Sequence, residues 1–128
     1  MIADKATGQI ICTAHAQGKT HDFKLYEESI GAAVVDDIKV EGDSGYQGIL
    51  KLHKNSQTPH KKPRGGKLTD EQKAENKAFS SKRMLVENII AKVKVFKIAA
   101  NKYRNRRKRF CLRMALICGI INYENDQA

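Results

Sequence analysis

The sequence is poor in residues that mark several classes of protein. None of its 128 residues is tryptophan, two are proline, and three, Cys12, Cys111 and Cys118, are cysteine. An odd number of widely spaced cysteines argues against a disulfide framework, and no pair has the spacing of a zinc knuckle. We therefore interpret the three cysteines as small, buried apolar residues in a reducing cytosol.

Long apolar runs are absent as well. No stretch reaches the roughly eighteen apolar residues that a transmembrane helix needs, so we expect no membrane partner. The opening residues, MIADKATGQII, contain no basic segment that leads into an apolar stretch, so we expect no signal peptide. Hydrophobic residues make up 41% and charged residues 30% of the chain, which is ordinary for one globular domain with one core.

Acidic residues are scarce beyond the first fifty positions. Residues 1–50 contain four Lys and eight Asp or Glu, for a net charge of −4, whereas residues 51–128 contain twenty Lys or Arg and six acids, for +14. An acidic segment followed by a strongly basic one suggests a metal site beside a track for a polyanion. Charge alone leaves a ribosome-like RNA-binding protein and a merely soluble basic protein equally open.

The apolar periodicity predicts short strands and a few helices. Strands are predicted over residues 8–15 and 37–42, with a helix between them that starts near Asp22 and ends at Gly31. Thr69 and Gln72 match a capping box, which predicts the start of a long helix whose pattern runs on through Phe96. The pattern does not decide whether this helix bends or breaks near Ser80–Ser81. A terminal apolar helix is predicted over residues 110–121.

Two carboxylates have unusual neighbours. Asp43 lies in the sequence EGDSGYQGI, where the second predicted strand ends, and Glu87 lies in RMLVENIIAKVK, four residues after Arg83 and seven before Lys94. Those spacings put Arg83, Glu87 and Lys94 on one helical stripe. Enzymes that cut nucleic acids with two metal ions combine distant acids with cations that bind phosphate. The alternatives are a turn-forming role for Asp43 and a solvated ion pair for Glu87.

Two basic segments flank the long helix. Residues 53–67 have no periodicity and contain two prolines and a Gly-Gly pair, so they are predicted to form a cationic loop. Residues 102–109, KYRNRRKR, form the second segment. Either segment could be a solvated face instead. The basic side chains predicted here to contact phosphate are Lys61, Lys62, Arg64, Arg104, Arg106 and Arg107.

The two acidic blocks and their order resemble those of DDE-superfamily transposases of bacterial insertion sequences, endonucleases with an RNase H-like catalytic core. The matching segments cover nearly the whole chain: residues 18–29, 42–49, 58–98 and 104–124. The resemblance implies that Asp43 and Glu87 are the second and third catalytic acids and metal ligands. It also implies that Arg83 and Lys94 contact DNA. Ser80 stands where the family motif has a tyrosine.

The resemblance further implies a cofactor, partners and a location. The cofactor is Mg²⁺ or Mn²⁺, as a two-metal site in the full-length enzyme. The partner is DNA at the terminal repeats of the element, with a homo-oligomer or a complementing chain as a further partner. The expected location is the bacterial cytoplasm, in association with the nucleoid.

The first catalytic acid of the family has no counterpart in this sequence. Asp4 is the only acid before the first predicted strand, and it does not match the family position. We therefore expect a truncated α/β fold, a partial RNase H-like core with a few-stranded sheet, flanking helices and its first strands missing. Residues 1–124 would be the C-terminal portion of the catalytic domain, with 53–67 as its basic loop and 125–128 as a frayed tail.

Three functional hypotheses follow. The first is a transposase fragment, capable of metal-dependent DNA cleavage by ancestry and inactive alone. The second is a non-catalytic basic DNA-binding protein in which residues 51–113 bind phosphate. The third, a structural RNA-binding protein, accounts for the charge of the chain and not for the blocks around Asp43 and Glu87.

Overall fold

A computed structural model of the chain describes residues 1–102 and 107–128, with the side chain of residue 107 left out. The chain divides into two compact units, which are treated separately below. Unit 1 comprises residues 1–15 and 83–128, and unit 2 comprises residues 16–82. The longest helix contributes residues to both units. No helix among the described residues is long and apolar enough to cross a membrane.

Unit 1 begins with a small antiparallel hairpin. Strand β1 (Ile2–Ala3) pairs with strand β2 (Ile10–Cys12), so that Ile2 lies opposite Cys12 and Ala3 lies opposite Ile10. The turn between the strands passes through Gly8, whose φ of 72° is a conformation that glycine adopts without strain. The hairpin is a two-stranded sheet of its own.

Helices supply most of unit 1. Helix α3 (Asp70–Val95) is followed by the short helix α4 (Lys97–Ala100), and the C-terminal helix α5 runs from Phe110 to Gln127. The buried residues of α5 recur at helical spacing, which turns one face of the helix toward the core. The apolar core of the unit joins residues of β2, α3 and α5: Ile10, Ile89, Val93, Met114, Ile117, Cys118 and Ile121.

The end of α5 also binds the hairpin through polar side chains. The Asn122 side chain accepts a hydrogen bond from the Ile10 N–H (2.7 Å) and donates one to the Ile10 carbonyl (2.9 Å). Asn125 donates to the Gly8 carbonyl (3.2 Å). The sequence predicts a frayed tail over residues 125–128. In the structure, α5 continues to Gln127, and Asn125 binds the hairpin turn.

Unit 2 is built from shorter elements. Helix α1 (Asp22–Ser29) begins after His21, whose Nδ1 accepts a hydrogen bond from the Phe23 N–H. Strand β3 (Val40–Glu41) pairs in parallel with strand β4 (Ser56–Gln57), and helix α2 (Ile49–Leu52) lies between them in the sequence. The first turns of α3 complete the unit.

The fold is a mixture of helices and small sheets, as the predicted α/β class requires at its coarsest level. The two predicted strands are confirmed but are only two or three residues long. Strands β1 and β4 were missed by the sequence prediction, and β4 falls inside the predicted loop 53–67. The capping box is confirmed by two hydrogen bonds between Thr69 and Gln72 (3.1 and 3.2 Å), and α3 continues unbroken through Ser80–Ser81.

Candidate nucleic-acid and metal site

Asp43 lies in a tight turn directly after β3. Its Oδ1 accepts a hydrogen bond from the Gly45 N–H (2.8 Å) and so caps a single 3₁₀ turn, Ser44–Tyr46. The turn-forming alternative for this residue is therefore realised. One carboxylate oxygen is used in this way, whereas Oδ2 of the half-buried side chain makes no hydrogen bond to the described residues.

An aromatic cluster supports the turn that carries Asp43. The Tyr46 ring lies edge-on to the rings of Phe23 and Tyr26, with centroids 6.3 and 6.0 Å away. A Cβ atom on Gly42 would lie 2.8 Å from the Tyr46 Cβ, so only glycine lets the strand pass this close to the ring. Burial raises the pKa of Tyr46, and the nearby Asp22 and Asp43 carboxylates raise it further.

A buried histidine lies on the other side of the cluster. The His53 side chain is only 3% exposed, and its Nε2 forms a 2.9 Å hydrogen bond with the Tyr26 hydroxyl. The other ring nitrogen, Nδ1, is buried and has no hydrogen-bond partner among the described residues. Tyr26 is itself buried, so the pair fixes α1 against the end of α2 in the interior of unit 2.

The predicted cationic loop lies in unit 2 and presents its charges to solvent. The side chains of Lys61, Lys62 and Arg64 are exposed. A turn follows, closed by a hydrogen bond from the Gly66 N–H to the Pro63 carbonyl (3.2 Å), with Gly65 at a φ of 75° that favours glycine. Arg64 lies within this turn, and Lys61 and Lys62 directly precede it.

Side chains from two neighbouring segments bind this loop at Pro59 and His60. The Gln47 side chain donates to the Pro59 carbonyl (3.1 Å), and Asn76 of α3 binds both backbone groups of His60. The His60 Nε2 lies 2.6 Å from the Glu75 carboxylate. Nothing in the sequence marks these residues, because their roles depend on contacts between positions 12 to 16 residues apart.

Glu87 belongs to unit 1 and lies on the exposed face of α3. Its Oε1 lies 3.1 Å from the Arg83 Nη2, and their side chains are 61% and 42% exposed. This is the solvated i,i+4 pair that the sequence analysis left as an alternative, and it contributes little to stability. Lys94 is exposed on the same helix, seven residues after Glu87.

The remaining predicted cations precede α5 in the sequence. Arg104 and Arg106 lie outside the described residues, and Arg107 opens a 3₁₀ turn that ends at Arg109. Thus Asp43 and the cationic loop share unit 2, whereas Glu87, Arg83 and Lys94 share unit 1. Within residues 1–102 and 107–128, no group of three or more His, Cys, Asp or Glu side chains could hold a metal ion.

A groove in unit 1 brings the three cysteines together. It has a volume of about 450 Å³, and its walls include Cys12, Cys111, Cys118 and Asn122. The prediction that all three are buried is correct for Cys118 only, because Cys12 is half-buried and Cys111 is exposed. Burial raises the pKa of the Cys118 thiol.

Comparison with known proteins identifies the family of the chain. The profile of a family described as DDE superfamily endonuclease matches residues 1–122. A probable transposase for insertion sequence element IS702 of Microchaete diplosiphon is 48% identical over 124 residues, which are 97% of this chain and 45% of that protein. The chain thus spans somewhat less than half the length of this relative, and no solved structure gives a significant match. The resemblance seen in the sequence is confirmed: the chain belongs to the DDE superfamily endonucleases, as a relative of insertion-sequence transposases.

Proposed function

We propose that this chain carries the second and third catalytic acids, Asp43 and Glu87, of a transposase that cleaves and joins DNA strands. The observation that carries the proposal is the family match over residues 1–122, which includes both acidic blocks. An RNase H-like arrangement of the core is part of the same proposal. The non-catalytic DNA-binding alternative is not favoured, since it does not account for membership of an endonuclease family.

The side chains of both acids suit a hard divalent cation such as Mg²⁺ or Mn²⁺. Each has one oxygen engaged, Asp43 by the Gly45 N–H and Glu87 by Arg83, and each has a second oxygen to offer. A bound divalent ion would activate water or a 3′-hydroxyl and stabilise the leaving oxygen in an in-line phosphoryl transfer. The chain's part is to supply the two carboxylates, one on a short turn of unit 2 and one on a helix of unit 1.

The cations of the chain would bind the DNA backbone. Lys61, Lys62 and Arg64 are exposed on an ordered loop, and Arg83 and Lys94 are on the α3 stripe, with Arg104, Arg106 and Arg107 as further candidates. Contacts of this kind release counterions, so they position the DNA without reading its sequence. Binding to DNA would also place the chain in the bacterial cytoplasm, on the nucleoid.

We further propose that these 128 residues do not cut DNA alone. No acid of the chain matches the first catalytic position, and two carboxylates hold two metal ions weakly. Residues outside these 128, supplied for example by a complementing polypeptide, would have to complete the site. The part of the IS702 relative that has no counterpart in this chain is a direct candidate for such a complementing polypeptide.

Complementation in solution tests the proposal. The chain is mixed with that part of the IS702 relative, Mn²⁺ and a supercoiled plasmid that bears the ends of the element, and nicking is followed on gels. We expect nicking from the mixture and none from the chain alone. Asp43→Asn and Glu87→Gln should abolish nicking, whereas the exposed controls Asp36→Asn and Glu71→Gln should retain it.

Two outcomes would contradict parts of the proposal. Nicking by the chain alone, abolished by Asp43→Asn, would disprove its inactivity and support the role of Asp43. Nicking by the mixture that survives both Asp43→Asn and Glu87→Gln would disprove the catalytic assignment.

A further inference from the structure

The shape of the cationic loop depends on very few contacts. Residues 58–67, the part of the loop that follows β4, have neither a helical nor an alternating pattern, and their lysines and arginine are exposed. Such a segment ordinarily loses conformational freedom when it binds a ligand, which weakens binding. Contacts that order the loop before binding would remove that cost, so the residues that make them matter for affinity without touching the ligand.

Asn76 makes the most complete of these contacts. The His60 N–H donates to Asn76 Oδ1 (2.8 Å), and Asn76 Nδ2 donates to the His60 carbonyl (2.9 Å). The amide of the side chain therefore binds both backbone polar groups of one residue, as a neighbouring strand would. Because Asn76 lies on α3, it fixes the backbone just before Lys61 and Lys62 to a regular helix.

Two further contacts support the same end of the loop. Gln47, one residue beyond the turn that begins at Asp43, donates to the Pro59 carbonyl (3.1 Å). The His60 and Glu75 side chains form an ion pair when the imidazole is protonated, but they are 45% and 66% exposed. Solvent screening makes an exposed pair weak, so the backbone contacts made by Asn76 and Gln47 contribute more.

We propose that Asn76 and Gln47 are positioning residues that hold the cationic loop in the shape in which it binds DNA phosphates. The inference rests on the proposed function and deepens it. Gln47 links the loop to the Asp43 turn, and Asn76 links it to α3, so the segment that carries the cations is tied to both elements within unit 2. Neither residue needs to touch DNA itself.

Salt-dependent DNA binding separates positioning from direct contact. The affinity of the full chain for a labelled duplex is measured by fluorescence anisotropy over a series of salt concentrations. Asn76→Ala should weaken binding about five-fold at every salt concentration and leave the slope of log affinity against log salt unchanged, because the same cations still meet phosphate. Lys61→Ala with Lys62→Ala should reduce that slope by about 0.9 for each phosphate that is no longer neutralised.

Three further variants sharpen the result. Asn76→Asp keeps the acceptor for the His60 N–H and removes the donor to the His60 carbonyl. Its DNA affinity should therefore lie between those of the wild type and Asn76→Ala. Asn88→Ala, an exposed asparagine of the same helix, is the matched control and should bind like wild type. Gln47→Ala should likewise weaken DNA binding and leave the salt slope unchanged. Because Gln47 is exposed, this variant keeps the test valid if circular dichroism shows that Asn76→Ala does not fold.

Limited trypsin digestion reports on the loop without DNA. Cleavage after Lys61 and Arg64 should be faster in Asn76→Ala than in Asn88→Ala. Faster cleavage with unchanged DNA affinity would overturn the inference and leave the proposed function intact. A reduced salt slope in Asn76→Ala would also overturn it, since it would mean that fewer phosphates are neutralised. Failure of the wild-type chain to bind DNA would instead refute the proposed function on which the inference rests.

Discussion

Unit 1 and unit 2 bury different kinds of side chain. The core of unit 1 is aliphatic apart from Met114 and Cys118, and most of its residues belong to the long helices α3 and α5. Unit 2 buries Ile49 and Phe79 together with Tyr26 and His53, which form a hydrogen bond in its interior. Its backbone is tied by side-chain amides, such as those of Gln47 and Asn76, as much as by strand pairing.

The difference follows from the length of the elements. A helix of eighteen residues such as α5 can turn a continuous apolar face toward a core, and burial of that face needs no specific geometry. Unit 2 instead joins turns and two-residue strands, which expose many backbone groups that must be satisfied individually. Functional residues commonly lie on such segments, as do Asp43 and the cationic loop, for which a function is proposed above.

The largest effect is expected in the apolar core of unit 1. Ile121 is 1% exposed, so Ile121→Ala should remove buried methyl groups and leave a cavity. We expect the free energy of unfolding to fall by about 3 to 5 kcal/mol, measured by denaturant titration with circular dichroism. Leu116→Ala, on the same helix but 66% exposed, should change it by less than about 0.5 kcal/mol. Equal losses from the two variants would mean that α5 buries a different face.

The corresponding change in unit 2 is polar and should be smaller. Tyr26→Phe keeps the ring and removes the hydroxyl that pairs with His53, whose Nδ1 already has no partner among the described residues. An imidazole buried with both nitrogens unsatisfied should cost about 2 kcal/mol in the free energy of unfolding. Tyr123→Phe is the control, because Tyr123 is 67% exposed. Unchanged stability in Tyr26→Phe would show that the hydrogen bond contributes nothing net to unit 2.

The sequence predicted what depends on neighbouring residues. Thr69 and Gln72 mark the start of α3 correctly because a capping box is formed by residues three positions apart. The turn at Asp43 was likewise available as an alternative, since an Asp before Ser-Gly bonds the backbone two residues on. The blocks around Asp43 and Glu87 pointed to the family, which the match over residues 1–122 confirms.

Contacts between distant residues could not be predicted in this way. Nothing in the spacing of Tyr26 and His53, or of His60 and Asn76, indicates that they meet. The cysteines were interpreted as separate buried residues, whereas Cys12 and Cys111 are brought to one groove only by the packing of β2 on α5. The strands β1 and β4 have two residues each, too few for a periodic pattern to be recognised.

Both units use an asparagine of a helix to bind an extended segment, which allows a direct comparison. In unit 1, Asn122 binds both backbone groups of Ile10, much as Asn76 binds those of His60 in unit 2. Asn122→Ala should lower the free energy of unfolding by about 1 kcal/mol and speed hydrogen exchange of the Ile10 amide. Asn88→Ala should leave that amide unchanged. Undiminished protection of Ile10 in Asn122→Ala would mean that β2 is held by packing alone.

The smallest expected effect is the pH dependence of the free energy of unfolding, and its sign should differ between the units. In unit 2 the pKa of Tyr46 is raised, chiefly by burial, so the folded state keeps the phenol proton more firmly than the unfolded chain. The stability gained from Tyr46 is therefore complete below the ordinary tyrosine pKa of about 10 and is lost as the pH rises above it. In unit 1 the pKa of His15 is lowered by burial and by the charged N-terminus. Stability gained from His15 is present above about pH 6.5 and is lost as the pH falls.

Single substitutions separate the two titrations. Tyr46→Phe should flatten the alkaline decline of the denaturant midpoint and leave the acid side unchanged, whereas His15→Gln should do the reverse. Tyr46→Phe retains the ring that packs against Phe23 and Tyr26, so the flattening reports the missing hydroxyl and not a change in packing. Since Asp43 is one of the carboxylates that raise the Tyr46 pKa, Asp43→Asn should shift the phenol titration slightly toward its ordinary value. If Asp43→Asn leaves the pKa of Tyr46 unchanged, the Asp43 carboxylate faces away from the aromatic cluster in solution.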